Sequence, residues 1–232
     1  MTTRNFSTVR IAMAAMAIAG LPSAVSALTL GFNDFVNPIF YVADNGPGDV
    51  DPLVGAITYS GPIGADWLVN VTTGISKPLL GSSSQPNLDL NSVNVTSTGG
   101  GHLRFGVFDS GFDGPISGGF AGPFTFAVGG TTTGTAARFE AFGDDTNAES
   151  FGGFGFSTLG PFGAGAFSAM ASGGAFSATS PFSLGLVADI THSGVATTSF
   201  DAELGAPAPE PGTLALLGVG LAALAATRRR KQ

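Results

Sequence analysis

The chain has 232 residues with Gly 36 and Phe 20, a charged fraction of only 11% and a formal net charge of −7. It contains no cysteine, which excludes thiol nucleophiles, iron–sulfur clusters, thiolate zinc sites and disulfides. Positive charge sits at the ends, in Arg4, Arg10, Arg228, Arg229, Arg230 and Lys231, so only Lys77, Arg104 and Arg138 oppose every carboxylate but Glu210; so acidic a middle repels phosphate backbones and is no partner for nucleic acid.

Residues 1–27 read as a secretory signal peptide. Arg4 and Arg10 precede an apolar run from Ile11 to Ala19, Gly20 and Pro22 break any helix, and Val25-Ser26-Ala27 offers the small residues of a cleavage site between Ala27 and Leu28. The apolar run is too short for a permanent anchor, which needs roughly 20 residues. The expected route is therefore the Sec translocon, followed by cleavage.

From Leu28 to Gly205 the pattern is period two, the mark of strands with one buried face. Trp67, Val69 and Val71 share a side, as do Leu88 and Leu90. Val93 and Val95 resume that alternation after a step at Asn91-Ser92, which predicts a bulge. Leu103, Phe105 and Val107 alternate with His102, Arg104 and Gly106; further rows are Phe124, Phe126, Val128; Phe182, Leu184, Leu186, Ala188, Ile190; and Phe200, Ala202, Leu204 with Asp201 and Glu203 facing out. Chain reversals are expected at Asp44 to Gly48, Asp109 to Gly111, Asp113 to Pro115, Gly129-Gly130 and His192 to Gly194. Between Phe151 and Phe182 nearly every residue is Phe, Gly, Ala or Ser. That segment reads as glycine-softened strands whose rings fill the core, or else as an exposed adhesive stretch. Many short strands, abundant Gly and large apolar side chains together predict one all-β domain over 28–205, an antiparallel β-sandwich of jelly-roll type.

Chemistry is sparse in this middle. His102 and His192 are the bases available near neutral pH, with no Gly-x-Ser-x-Gly elbow and no His-Glu-x-x-His helix, so no enzyme is expected. Asp44, Asn45, Asp49 and Asp51 crowd hard oxygen donors into a turn, a weak Ca²⁺ candidate without EF-hand spacing; Asp and Asn also favour turns for backbone reasons alone. Asp144, Asp145 and Asn147 form a lesser cluster of the same kind.

Residues 206–232 have three parts: the motif Pro209-Glu210-Pro211, an apolar stretch from Gly212 to Thr227, and the basic cluster Arg228, Arg229, Arg230, Lys231. At ~1.5 Å per residue the apolar stretch reaches about 24 Å, somewhat short of a ~30 Å hydrocarbon core, so it makes a marginal single transmembrane helix. The terminal cations hold to the cytoplasmic side by the positive-inside rule. This tail resembles the PEP-CTERM sorting domain of Gram-negative bacteria. The resemblance implies that Pro209, Glu210 and Pro211 are read by a membrane-bound exosortase, which cuts nearby and passes the protein to the cell surface or an exopolysaccharide matrix. The expectation is a non-enzymatic surface or matrix protein with an inner-membrane-anchored precursor. The alternatives are a Ca²⁺-stabilised carbohydrate-binding module and a glycan-active enzyme with two carboxylates, the latter requiring acids that face each other about 5 to 9.5 Å apart.

Overall fold

The computed structural model describes residues 28–207. Both expected terminal helices, the signal segment and the membrane-spanning tail, lie outside them. Within them every regular element is a strand, because the apolar residues recur at every second position and glycines interrupt any helical face.

In chain order the strands are β1 (Thr29–Asn33), β2 (Phe40–Ala43), β3 (Ala56–Ile63), β4 (Trp67–Ile75), β5 (Asn87–Ser97), β6 (Gly101–Phe112), β7 (Ile116–Ser117), β8 (Phe120–Thr132), β9 (Ala136–Asp144), β10 (Phe154–Phe162), β11 (Gly165–Ser177), β12 (Phe182–His192) and β13 (Ala196–Gly205). They build a six-stranded sheet of order β10-β9-β12-β6-β1-β2 and a seven-stranded sheet in which β11-β8-β13-β5-β4-β3 run side by side and β7 pairs with β8. All pairings are antiparallel. The sheets pack face to face as a β-sandwich. Their inner faces supply one continuous core that includes Leu30, Phe32, Val69, Val71, Leu88, Leu90, Phe105, Val107, Phe126, Phe139, Leu186 and Leu204.

The alternation read from the sequence carries over. Trp67, Val69 and Val71 are buried in β4, and the Asn91-Ser92 step is a bulge, with Ser92 at φ 52° and a register shift opposite it between Phe200 and Ala202. The Phe- and Gly-rich stretch forms β10 and β11, the edge strands of the two sheets. Its rings seal that side of the sandwich: Phe162 stacks on Phe167 at 4.7 Å and Phe156 on Phe176 at 5.3 Å, while Phe154 stays exposed.

Two expected reversals do not occur. Asp109 lies inside β6 and is fully buried; its carboxylate forms an ion pair with Lys77 Nζ at 2.8 Å, which lets a strand continue through an acid. Gly129-Gly130 lies inside β8. A Cβ at Gly130 would meet the Ser199 carbonyl oxygen at 2.2 Å and come within 2.8 Å of the Phe167 ring and of Phe200 Cβ, so glycine marks a close approach of the neighbouring strands β11 and β13 there.

The inner core is not the only apolar layer. Phe108, Phe142 and Val187 form a second cluster on the outer face of the six-stranded sheet, covered by Phe151 from the connection between β9 and β10. β12 is consequently buried on both faces for most of its length, which alternation alone does not anticipate.

Candidate functional site

The outer face of the six-stranded sheet gathers most of the sandwich's positive charge. Register sets the arrangement: Arg104 of β6 lies opposite Asn33 of β1 and Asp189 of β12, and Asp189 lies opposite Arg138 of β9. Because cross-strand partners share a face, these side chains emerge together. Arg104 Nη2 donates to Glu140 Oε2 at 3.0 Å, Arg104 Nε lies 3.8 Å from Asp189 Oδ2, His102 Nε2 is 3.1 Å from Asp189 Oδ1, and Arg138 also pairs with Glu140. The acids are largely covered, while the Arg138 and His102 side chains remain about half exposed and offer free donor capacity.

Aromatic rings flank this polar row. Tyr41 of β2 faces Gly31 of β1. A Cβ at Gly31 would fall 2.9 Å from the Tyr41 ring and 3.0 Å from that of Phe151, so both rings lie down against bare backbone. The Arg104 guanidinium sits 5.2 Å from the Phe142 ring centroid and 5.5 Å from that of Phe151. At one end of the face Phe35, 54% exposed, stacks on His102 with centroids 4.4 Å apart and planes 15° from parallel.

Phe35 is held there against its own preference. Its φ is 61°, a left-handed conformation unusual for a bulky residue. Its N–H donates to Asn33 Oδ1 at 2.8 Å, and the nearly buried Asp34 accepts from the N–H groups of Val36 and Asn37 and from Asn37 Nδ2. The loop is thus fixed by local hydrogen bonds, and the strain is carried by a ring presented to solvent.

A second open region crosses the outer face of the seven-stranded sheet, a trough of about 580 Å³ lined by Asp89, Asn91, Met170, Asp201 and Glu203. Asp89 faces Glu203 directly across β5 and β13. Burial, reinforced by the charges of Glu203 and Asp201, pushes the Asp89 carboxyl above its ordinary value.

The turn that is a weak Ca²⁺ candidate directs its oxygens to backbone N–H groups. Asp44 Oδ2 accepts from Gly55 N–H at 2.7 Å, Asp49 accepts from the N–H groups of Asn45, Asp51 and Thr58, and Asp51 from that of Leu53. Asp44 Oδ1 is taken by Asn45 Nδ2. Among the described residues no three His, Cys, Asp or Glu side chains are arranged to hold a metal ion. In the lesser cluster Asp144 caps Thr146, and Asn147 Oδ1 accepts from Gly111 N–H.

The histidines acquire partners that linear spacing hides. His192 is buried between the sheets with Nδ1 2.7 Å from Ser97 Oγ and Nε2 2.9 Å from Thr198 Oγ1, against the Trp67 ring at 5.1 Å. A Ser–His contact of this kind could activate a nucleophile, but both residues are closed off from solvent, so no substrate reaches them. Of the sorting and cleavage residues, Leu28 is described: it is fully buried, and its carbonyl accepts from Asp44 N–H at 2.8 Å. Ala27, Pro209, Glu210, Pro211, Arg228, Arg229, Arg230 and Lys231 lie outside the described residues.

Comparison with known proteins adds one firm point. Residues 207–231 match the family model of the PEP-CTERM protein-sorting motif, so the chain carries that motif at its C-terminus. The motif implies an exported, membrane-anchored precursor handled by an exosortase-type enzyme and sorted to the cell surface. No curated protein matches the chain. Among solved structures, a family 11 carbohydrate-binding module from Clostridium thermocellum in complex with a β-1,3-1,4-mixed-linked tetrasaccharide is similar over 82% of this chain and 100% of its own, with 14% identity and a TM-score of 0.29. A likeness at that level carries no argument about ligand or activity.

Proposed function

We propose that this is a non-enzymatic exported protein of the cell surface or extracellular matrix, sorted through Pro209-Glu210-Pro211, whose sandwich contacts exopolysaccharide through the outer face of the six-stranded sheet. The observation that carries the reading is Phe35: a strained, exposed ring stacked on His102 at the rim of a row of paired acids and cations. Sugar rings present flat C–H faces, which need apolar planes to lie on, and hydroxyls, which need donors and acceptors side by side. The face offers Phe35 and Tyr41 for the first, and Arg138, His102 and Asp189 for the second.

The test is retention of the protein in affinity gels cast with exopolysaccharide extracted from the producing cells. Phe35→Ala is expected to weaken retention about tenfold, the equivalent of ~1.4 kcal/mol, with the melting temperature unchanged because the ring is exposed. Equal retention of wild type and variant would remove this face from the proposal.

A second reading, a glycan-active enzyme, draws support from Asp89 and Glu203: one carboxyl with a raised pKa beside another acid is the asymmetry that acid/base hydrolysis uses. The trough is an open stretch of sheet with no facing wall, so the non-catalytic reading leads. Release of reducing ends from the same polysaccharide, abolished in Glu203→Gln, would reverse that order.

A further inference from the structure

Both ends of the sandwich leave from one pole, and a chain of hydrogen bonds ties them together. Asp44 N–H reaches the Leu28 carbonyl, Gly55 N–H reaches Asp44, Ser76 N–H reaches the Gly55 carbonyl, and Ser76 Oγ donates to the Asn87 carbonyl. Ala206 N–H then bonds to the Pro86 carbonyl, and Gln85 Nε2 holds the Pro207 carbonyl at 2.9 Å. The opposite pole carries the turns around Asp66, Thr98, Thr133 and Gly194, where Thr98 N–H bonds to the Asp66 carbonyl, Ser97 Oγ to the Gly194 carbonyl and Thr133 N–H to the Thr197 carbonyl.

The two connections that join the chain ends at this pole, 44–55 and 76–86, also expose apolar side chains. Val50, Leu53, Val54 and Leu79 are each more than half exposed. The loops are neighbours, since Gly55 lies against the Lys77 carbonyl and Pro78. Their acids, Asp44, Asp49 and Asp51, accept hydrogen bonds from backbone N–H groups of the loop and of β3, while the apolar side chains make the exposed surface.

We infer that this pole rests on the lipid surface while the tail is uncut, with Val50, Leu53, Val54 and Leu79 as the contact. The inference rests on the reading that the tail anchors the precursor. From Pro207 to Leu214, the first large apolar residue of the tail, seven residues span at most roughly 25 Å. The pole bearing Gln85 therefore cannot move farther than that from the anchor. The opposite pole lies a further strand length beyond, about 33 Å for ten residues. Contact would hold the sorting motif beside the membrane, within reach of a membrane-bound processing enzyme, and would leave the outer sheet faces open at the sides and the far turns directed away from the cell.

The absence of cysteine in the whole chain makes the test clean. The full chain, tail uncut, is prepared as Leu53→Cys, Leu79→Cys and Val195→Cys, the last being an exposed residue at the far pole. Each is labelled with a fluorophore and mixed with phosphatidylcholine vesicles. The expected result is that all three float with the vesicles, and that an aqueous quencher reaches the labels at 53 and 79 several-fold more slowly than the label at 195. Floating protein with equal quenching at all three positions overturns the contact and leaves the anchor intact. Protein that does not float overturns both. Shielding of positions 53 and 79 at the same concentration without lipid assigns the patch to a second copy and overturns the lipid contact.

Discussion

His192 shows how one buried residue turns the fold into a pH response. Burial pulls its imidazole below the ordinary histidine value, so the unfolded chain takes up a proton more readily than the folded one. Its contribution to stability is complete at neutral pH and is lost as pH falls from about 6.5, the unfolded value, through the lower folded value. Asp44, Asp89 and Glu149 act in the opposite sense, because burial raises all three: each favours the folded state below its unfolded value, and that contribution is lost as pH rises through the raised one. Thermal melts between pH 7 and 5 should therefore show a steeper loss in the wild type than in His192→Asn. Parallel curves would mean that the imidazole does not titrate on unfolding. The residue's partners, Ser97 and Thr198, could not be read from the sequence, since Ser97 lies on a strand 95 positions away.

At the scale of the element, glycine placement explains what alternation leaves open. Gly129-Gly130 looked like a reversal because paired glycines commonly make turns, yet β8 runs straight through and pairs with both β11 and β13. The reason is lateral: the Ser199 carbonyl oxygen and the Phe167 and Phe200 side chains occupy the space a Cβ at 130 would need. Gly130→Val should therefore cost about 1–3 kcal/mol by overpacking, read as a lower urea midpoint; an unchanged midpoint would show that β8 can shift to make room. Asp109 carries the same lesson for charge. It resembled a turn signal, but Lys77, on the connection after β4, meets it inside the sandwich. Bulges, by contrast, were legible where a polar pair broke the rhythm, as at Asn91-Ser92.

The whole molecule unites a sorted tail with a domain whose ends share a pole. Leu28 is buried at the start of β1 and bonded to Asp44, so a cut between Ala27 and Leu28 has to come before this edge closes. Mass spectrometry of mature protein from an exosortase-bearing cell should find an N-terminus at Leu28 and no peptide containing Arg228 to Lys231. Persistence of the basic end in mature material would show that the tail remains as a plain anchor.

The sequence by itself determined the sorting motif at the C-terminus, the all-β class and the buried face of most strands. These depend on features that are local along the chain: charge beside an apolar run, the Pro-Glu-Pro motif, and the period of two imposed by strand geometry. Only the tertiary structure decided which strands became neighbours. Lateral order comes from pairings between distant segments, and it alone brought Arg104, Glu140 and Asp189 into one row, set Phe35 over His102, spread a second apolar layer beneath Phe151, and brought both chain ends to the pole that exposes Leu53 and Leu79.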